Sequence, residues 1–401
     1  MIRTIMAAAL VASALSFSAQ AQPEGESFAD WLGGFRGRLS ASGASDATVA
    51  SMLDGLQPEM RIIERDRSQP EFVRPVWSYL EIAASDLRIE NGQTAYANHR
   101  QTVDAVAERF GVRAEILIAI WGLESSYGAI PGNNDIVQAL ATLAWEGRRR
   151  AWAEGELFAV ARMIENGYAT REQLTGSWAG AMGQMQFIPS TYLERAHDWD
   201  GDGTRNIWTH EGDALASAAN LLSQAGWEPG APALLEVRLP ENFDYMAWEP
   251  GVPHRVADWA AQGLVPARGE WQADHLMRTA ELELPAGASG PGFLTFRNFR
   301  VIKRYNNSTA YAMGVAHLAD RIAGAQPFVG PWPEGNPPIN RTQTREMQAA
   351  LNALGFDSGT PDGLAGPNTR AALRAFQRSQ GLRPDGYVGR AAYDAVMAAA
   401  G

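Results

Sequence analysis

One carboxylate closes an otherwise apolar run, Ile116-Leu-Ile-Ala-Ile-Trp-Gly-Leu-Glu124-Ser-Ser-Tyr-Gly128, and a glutamate so placed is costly unless it does chemistry. Residues 116–121 are apolar all round at helical spacing, which predicts a buried helix. Glu124 lies one turn beyond Ile120 and Trp121 on a shared face, and Gly128 suits the left-handed position that ends a helix. In that last turn the negative end of the helix dipole and the loss of water both disfavour ionisation and raise the pKa. A carboxyl that stays protonated at neutral pH is what a general acid needs. On this run alone, a core glutamate tied to an arginine or a backbone amide is the competing reading.

Three further motifs carry chemistry. In Ser177-Trp-Ala-Gly-Ala-Met-Gly183-Gln184-Met-Gln186-Phe-Ile-Pro189-Ser190, small residues allow a ligand close to the backbone. Gln184 and Gln186 supply both donors and acceptors, a mixture that suits sugars bearing N-acetyl groups. The plain alternative is a glycine cluster for helix packing. In Tyr305-Asn306-Asn307-Ser308-Thr309-Ala310-Tyr311, Ser308 or Thr309 reads as an N-cap, whereas Tyr305, Asn306 and Tyr311 suit the wall of a polysaccharide groove. Asp198-Trp-Asp200-Gly-Asp202-Gly203-Thr204 places carboxylates at positions 1, 3 and 5, glycine at 6 and a backbone carbonyl at 7, the front half of an EF-hand loop. Position 12 is Thr209 instead of glutamate, so closure of a metal shell falls to Asp213 or Glu211, and an acidic turn without metal is the alternative. There is no Walker loop, dinucleotide fingerprint, nucleophile elbow or HExxH, and the six histidines are scattered, each read as a surface or core residue.

The elements that must position these residues are mainly helical. Helical patterns cover Phe28 to Leu39 and Asp46 to Leu56, then a helix-rich block runs from about Tyr96 to Ala225. From Glu228 the chain turns strand-like at Leu234 to Leu239 and rich in Pro, Gly and Trp, which predicts a small, partly β inserted subdomain over 228–297. Helical character returns from Phe296 to Ile322. Residues 324–340 hold five prolines and three glycines and read as a semi-extended linker. Beyond it, Pro361-Asp-Gly363-Leu-Ala-Gly366 and Pro384-Asp-Gly386-Tyr-Val-Gly389 each lead into a helix, Asn368 to Gln380 and Arg390 to Ala398, and Thr342 to Leu354 completes a three-helix module over 341–398.

A net charge of -11 with no basic stripe excludes nucleic acid and anionic membrane surfaces as partners. Met1-Ile-Arg3, an apolar stretch from Ile5 to Phe17 and Ala19-Gln20-Ala21 give the pattern of a signal peptide over 1–21, too short for a membrane anchor. Without cysteine there are neither disulfides nor a lipidated N-terminal Cys, so the expectation is a soluble periplasmic or secreted protein.

Taken together, Gly122-Leu-Glu-Ser-Ser-Tyr-Gly128, Ala179-Gly-Ala-Met-Gly-Gln-Met-Gln-Phe187, the acidic loop followed by Trp208, and Tyr305-Asn with Tyr311 closely resemble the membrane-bound lytic transglycosylase B family. The resemblance implies a lysozyme-like helical catalytic core over 24–323 that cleaves peptidoglycan glycan strands between N-acetylmuramic acid (MurNAc) and N-acetylglucosamine (GlcNAc), leaving 1,6-anhydro ends. It implies Glu124 as sole catalytic acid and then base, with Ser177, Gln186, Tyr305, Asn306, Tyr311 and, less centrally, Gln184 around the glycan. It further implies a structural Ca2+ on Asp198, Asp200, Asp202, Thr204 and Asp213 and no catalytic cofactor; the missing Cys departs from the family's lipoprotein members, so no membrane anchor is expected, and the chain is expected to be a monomer. Residues 341–398 resemble a three-helix peptidoglycan-binding domain, which placed after a stiff linker would concentrate the enzyme on the wall. Two rivals remain: a muramidase that adds water at the same bond, and a non-catalytic wall-binding scaffold.

Overall fold

The apolar run before Glu124 forms the helix Ala114–Ser125, in which every residue from Ile116 to Ser125 is buried. A helix buried on all faces needs helices around it. It packs on Thr309–Ile322, Asp86–Asn98, Arg100–Phe110 and Glu211–Gln224. One continuous core runs from Trp31 in the first helix to Ile322 and gathers all of these elements. The structure, a computed structural model, describes residues 25–67 and 74–401. The signal peptide expected over 1–21 therefore lies outside the described residues. Among the described residues no helix is long and apolar enough to cross a membrane.

Short ladders complete the catalytic region. β1 (Asn134–Asp135) pairs antiparallel with β2 (Thr175–Gly176), tying the segment after the Glu124 helix to the start of the Ser177 motif. The inserted region forms β3 (Leu234–Arg238), β4 (His254–Arg255), β5 (Val265–Pro266), β6 (Thr279–Glu283) and β7 (Gly292–Thr295). All pairs are antiparallel, in the order β4-β6-β7-β3-β5, with Leu234 opposite Thr295 and Glu281 opposite the same Thr295 on the other side. Val237, Trp259, Leu282 and Leu294 give this sheet a core of its own.

The helical stretch expected from Phe296 to Ile322 is two helices, Arg297–Tyr305 and Thr309–Ile322. Ser308 is the N-cap of the second, its Oγ accepting from Tyr311 N at 3.2 Å, so the break between them holds Asn306.

The C-terminal module comprises Arg341–Ala353, Pro367–Ser379 and Arg390–Ala400 around Met347, Leu373, Phe376 and Val396. Its sequence echo has a structural cause. Gln348 accepts from Gly363 N at 2.8 Å and donates to Asp362 Oδ1 at 3.1 Å; Gln377 accepts from Gly386 N at 2.9 Å and donates to Asp385 Oδ1 at 2.8 Å. Each Asp-Gly turn is thus clamped by a glutamine of the preceding helix, and the glycines, at φ 77° and 68°, supply the left-handed turn.

The linker is more firmly held than a semi-extended tether. The Phe328 ring lies 3.9 Å from that of His317, and Trp332 stacks between Phe293 and Trp77 at 6.1 and 5.8 Å. The buried Glu236 carboxylate accepts from Val329 N at 2.7 Å and Gly330 N at 2.6 Å.

Candidate functional site

Glu124 sits at the end of its helix with 7% of its surface exposed. Its Oε1 accepts from the Tyr311 hydroxyl at 2.5 Å, across 187 residues of sequence. Burial pushes the Glu124 carboxyl up to about 7, and the Tyr311 hydrogen bond holds back part of that rise. Among the described residues neither an arginine nor a backbone amide ties it down, which speaks against the competing reading of a paired core glutamate. Tyr311 stacks on Tyr305 with centroids 6.5 Å apart and planes at 12°, and Tyr305 donates to Met185 O at 2.5 Å. The two rings link Glu124 to the Gly183–Phe187 turn. Burial raises the pKa of both phenols well above the ordinary tyrosine range, and the Glu124 charge adds to this, so both stay protonated donors.

The left-handed cap falls earlier than the glycine. Ser126 and Tyr127 take φ 53° and 60°, ahead of Gly128 at 82°. Ser126 N donates to Gly122 O and Tyr127 N to Trp121 O, both at 3.2 Å, closing the last turn. The Tyr127 ring folds back over Gly122, where a Cβ would stand 2.5 Å from Cζ, and its hydroxyl donates to Arg88 O at 2.7 Å. Gly122 is therefore required by a close approach. Gln186, at φ 51°, is the remaining non-glycine residue of positive φ among the described residues, so all three such residues flank Glu124 in the two motifs. Left-handed non-glycine residues cost roughly 1–3 kcal/mol each and persist where the surroundings impose them.

The glutamines divide in role. Gln184 is buried, accepts from Trp121 Nε1 at 2.8 Å and donates to Trp208 O at 3.2 Å, so its amide braces the Glu124 helix. Gln186 is half-buried and donates to Pro131 O at 2.8 Å and Gly183 O at 2.9 Å. Ser177 is half-buried, with Oγ accepting from Ala181 N at 3.1 Å. Asn306 is buried with an Oδ1 that has no partner, an acceptor available to an amide N–H. Tyr79 escaped the sequence reading: its ring packs where a Cβ on Gly314 would stand 2.8 Å from Cε1, and after burial the Glu124 charge is the largest influence raising its pKa. It lies in Val76–Ala83, a stretch the sequence reading left unassigned, and an apolar run of that kind does not distinguish core from cleft.

Removing the Tyr311 hydroxyl separates orientation from acidity. Tyr311→Phe deletes the one hydrogen bond that lowers Glu124, so the alkaline limb of the pH–rate profile is expected to move above pH 7. The rate on its acid side should fall about ten- to a hundredfold, as for loss of a hydrogen bond to a charged group. An unmoved limb in a pH series would refute this coupling.

The acidic loop closes as an oxygen-rich turn. Asp198 Oδ1 and Oδ2 accept from Gly201 N at 2.8 Å and Gly203 N at 2.9 Å, and Asp202 Oδ1 accepts from both Thr204 N and Oγ1 at 2.7 Å. Asp198, Asp200 and Asp202 bring one carboxylate oxygen each to within 4.8 Å of one another, a donor set that fits Ca2+. Asp213 is 1% exposed and accepts from Trp199 N at 2.9 Å and Asn206 N at 2.6 Å, bracing both limbs of the loop. His210, passed over in the sequence, has Nδ1 3.0 Å from Asp213 Oδ1 and Nε2 3.6 Å from Asp200 Oδ2. Its position three residues before Asp213, as the N-cap of Glu211–Gln224, was the signal that could have found it.

Residues 27–320 match the family model "Transglycosylase SLT domain", and residues 340–396 match "Putative peptidoglycan binding domain". The membrane-bound lytic murein transglycosylase B of Escherichia coli K12 is 34% identical over 247 residues, covering 59% of this chain and 64% of that relative. The crystal structure of SltB3 from Pseudomonas aeruginosa in complex with NAG-anhNAM-pentapeptide superposes with a TM-score of 0.90 at 44% identity, over 93% of this chain and all of that one. The Escherichia coli lytic transglycosylase Slt35 in complex with calcium gives 0.63 at 27% identity, over 73% and 92% of the two chains. With its helical core, its sheet insert and its C-terminal module all accounted for, the chain belongs to the lytic murein transglycosylase family and carries a C-terminal peptidoglycan-binding domain.

Proposed function

We propose that the protein is an exported lytic transglycosylase that cleaves the MurNAc-β-1,4-GlcNAc bond of peptidoglycan without water and leaves 1,6-anhydro-MurNAc ends. The observation that carries this reading is the desolvated Glu124 carboxyl, raised to about 7 and oriented by Tyr311. Protonated Glu124 gives its proton to the glycosidic oxygen as the bond to the anomeric carbon breaks. The resulting carboxylate takes the proton of the muramyl 6-hydroxyl as that oxygen attacks the same carbon, which returns Glu124 to its acid form. The substrate's acetamido group supports the cation between the two steps. A two-carboxylate glycosidase needs a second acid about 5–9.5 Å away. The sequence supplies no second acid motif beside Glu124.

Ser177, Gln186, Tyr305 and Asn306 line the glycan around Glu124 in this reading, with Gln184 holding the helix. The unpartnered Asn306 Oδ1 suits an acetamido N–H. Ca2+ sits on Asp198, Asp200 and Asp202 with Thr204 near position 7 and Asp213 beneath, and stiffens the loop without entering the reaction. The all-oxygen donor set and the calcium-bound relative support that site.

The test is mass spectrometry of soluble products from sacculi digested with the full mature chain. Anhydro-muropeptides are expected. Reducing-end muropeptides would make it a muramidase, and no products a wall-binding scaffold.

A further inference from the structure

The C-terminal module does not hang from its linker. Arg374 Nη2 donates to Trp248 O at 2.8 Å, and Ala288 N donates to Asp385 Oδ2 at 2.8 Å, so the module docks on the sheet insert. Gly287, at φ 65°, lies so close that a Cβ would stand 2.6 Å from that of Tyr387. With Phe328 and Trp332 pinning the linker, this docking encloses a preformed cavity of about 830 Å³ between core, insert and module. We propose that this cavity is a subsite for the peptide stem of peptidoglycan, with Arg341 and Arg370 receiving stem carboxylates and Glu283 an ammonium group. The inference rests on the transglycosylase reading.

Three observations carry it. Arg341, Arg370 and Glu283 line the cavity, and among the described residues none has an ion-pair partner within 4 Å; the arginines donate to carbonyls, Arg341 to Asp362 O at 3.3 Å and Arg370 to Ala365 O at 3.2 Å and Gly386 O at 3.5 Å. Arg374 adds a buried Nε without a partner. Cations and a carboxylate held apart between apolar walls such as Trp248, Ile339 and Val388 match a peptide bearing both charges, whereas a bare glycan offers neither. Burial pushes the Glu283 carboxyl up, and the Lys303 and Arg370 charges hold back part of that rise. The cavity also abuts two helices that carry the reaction site. Thr309 lines it and opens the helix whose third residue is Tyr311, and Val76 lines it and opens the helix bearing Tyr79. The proposal places the stem of a muramyl sugar held at Glu124 along these two helix ends.

The test is calorimetric titration of the full chain with NAG-anhNAM-pentapeptide and with peptide-free NAG-anhNAM, with sacculus digestion measured in parallel. The peptide is expected to tighten binding by about tenfold or more, the scale of one charge-assisted contact. Arg370→Ala, and separately the exposed Arg341→Ala, should cut that advantage to within about twofold, and Glu283→Gln should weaken it. Melting curves check that each variant is folded, and the two arginine variants are scored independently. Equal affinities for the two ligands in the wild type, or an advantage unchanged in both arginine variants, would overturn the subsite while digestion of sacculi left the transglycosylase standing. Undigested sacculi with neither ligand bound would overturn both.

Discussion

Glu124→Gln is expected to stop release of soluble muropeptides, with a loss of about 10³-fold or more, because one residue serves both proton transfers and general acid–base steps contribute about 10²–10⁴-fold apiece. The substitution keeps the shape and the acceptor for Tyr311, so binding to sacculi should persist. The pH profile follows from the acidity of the same group. The acid form acts first, so kcat/KM should fall about tenfold per pH unit above about pH 7. The sign for stability is the reverse of an ordinary surface carboxylate. A folded pKa above the unfolded value favours the protonated folded state; that contribution is complete below the unfolded pKa and lost as pH rises through about 7. A rise from 4.5 to about 7 corresponds to roughly 3 kcal/mol that the buried charge costs in alkali. The Gln variant should therefore melt with the wild type near pH 5 and above it near pH 9, while being inactive at both. Sacculi digested at the wild-type rate by the variant would end the assignment. Coincident melting curves in alkali would show that Glu124 is not desolvated.

Much of this site was legible because its logic is local. An apolar helix that ends in one acid, and carboxylates spaced every second residue before a glycine, advertise themselves within a dozen residues. What the sequence hid comes from distant segments. Nothing near Phe328 or Trp332 announces His317, Phe293 or Trp77 as partners, although aromatics in a proline-rich linker were a sign that it docks. The left-handed cap was expected at Gly128 from conformational freedom alone, whereas Ser126 and Tyr127 adopt it because the Tyr127 ring is received by Gly122 and Gly92. The twin Pro-Asp-Gly turns were visible, but their glutamine clamps were not. The signal was there: Gln348 and Gln377 each follow a buried apolar residue, Met347 and Phe376, in the preceding helix.

The acidic loop separates metal binding from loop architecture, and Asp213 joins the two. Asp213→Ala leaves the N–H groups of Trp199 and Asn206 without acceptors at a 1% exposed position and strips His210 of its partner. Loss of a buried charged acceptor of two amides should cost on the order of 3–5 kcal/mol. Asp200→Asn differs, because Asp200 is exposed, accepts from Asp202 N at 3.3 Å and faces His210 Nε2 at 3.6 Å without bracing either limb of the loop. It should leave the calcium-free protein nearly unchanged while weakening the metal. In wild type, Ca2+ at a hundredfold excess over its Kd should add about 2–3 kcal/mol, so a chelator is expected to lower Tm by about 5 °C. Asp200→Asn should start near the chelated wild type and respond little to chelator. Asp213→Ala should start well below both, because it has lost architecture as well as metal. Melting curves of the three proteins with and without chelator distinguish these outcomes. A wild type whose Tm ignores chelator, with no calcium found on purification, would remove the metal and leave the Asp213 brace as the whole explanation of the loop.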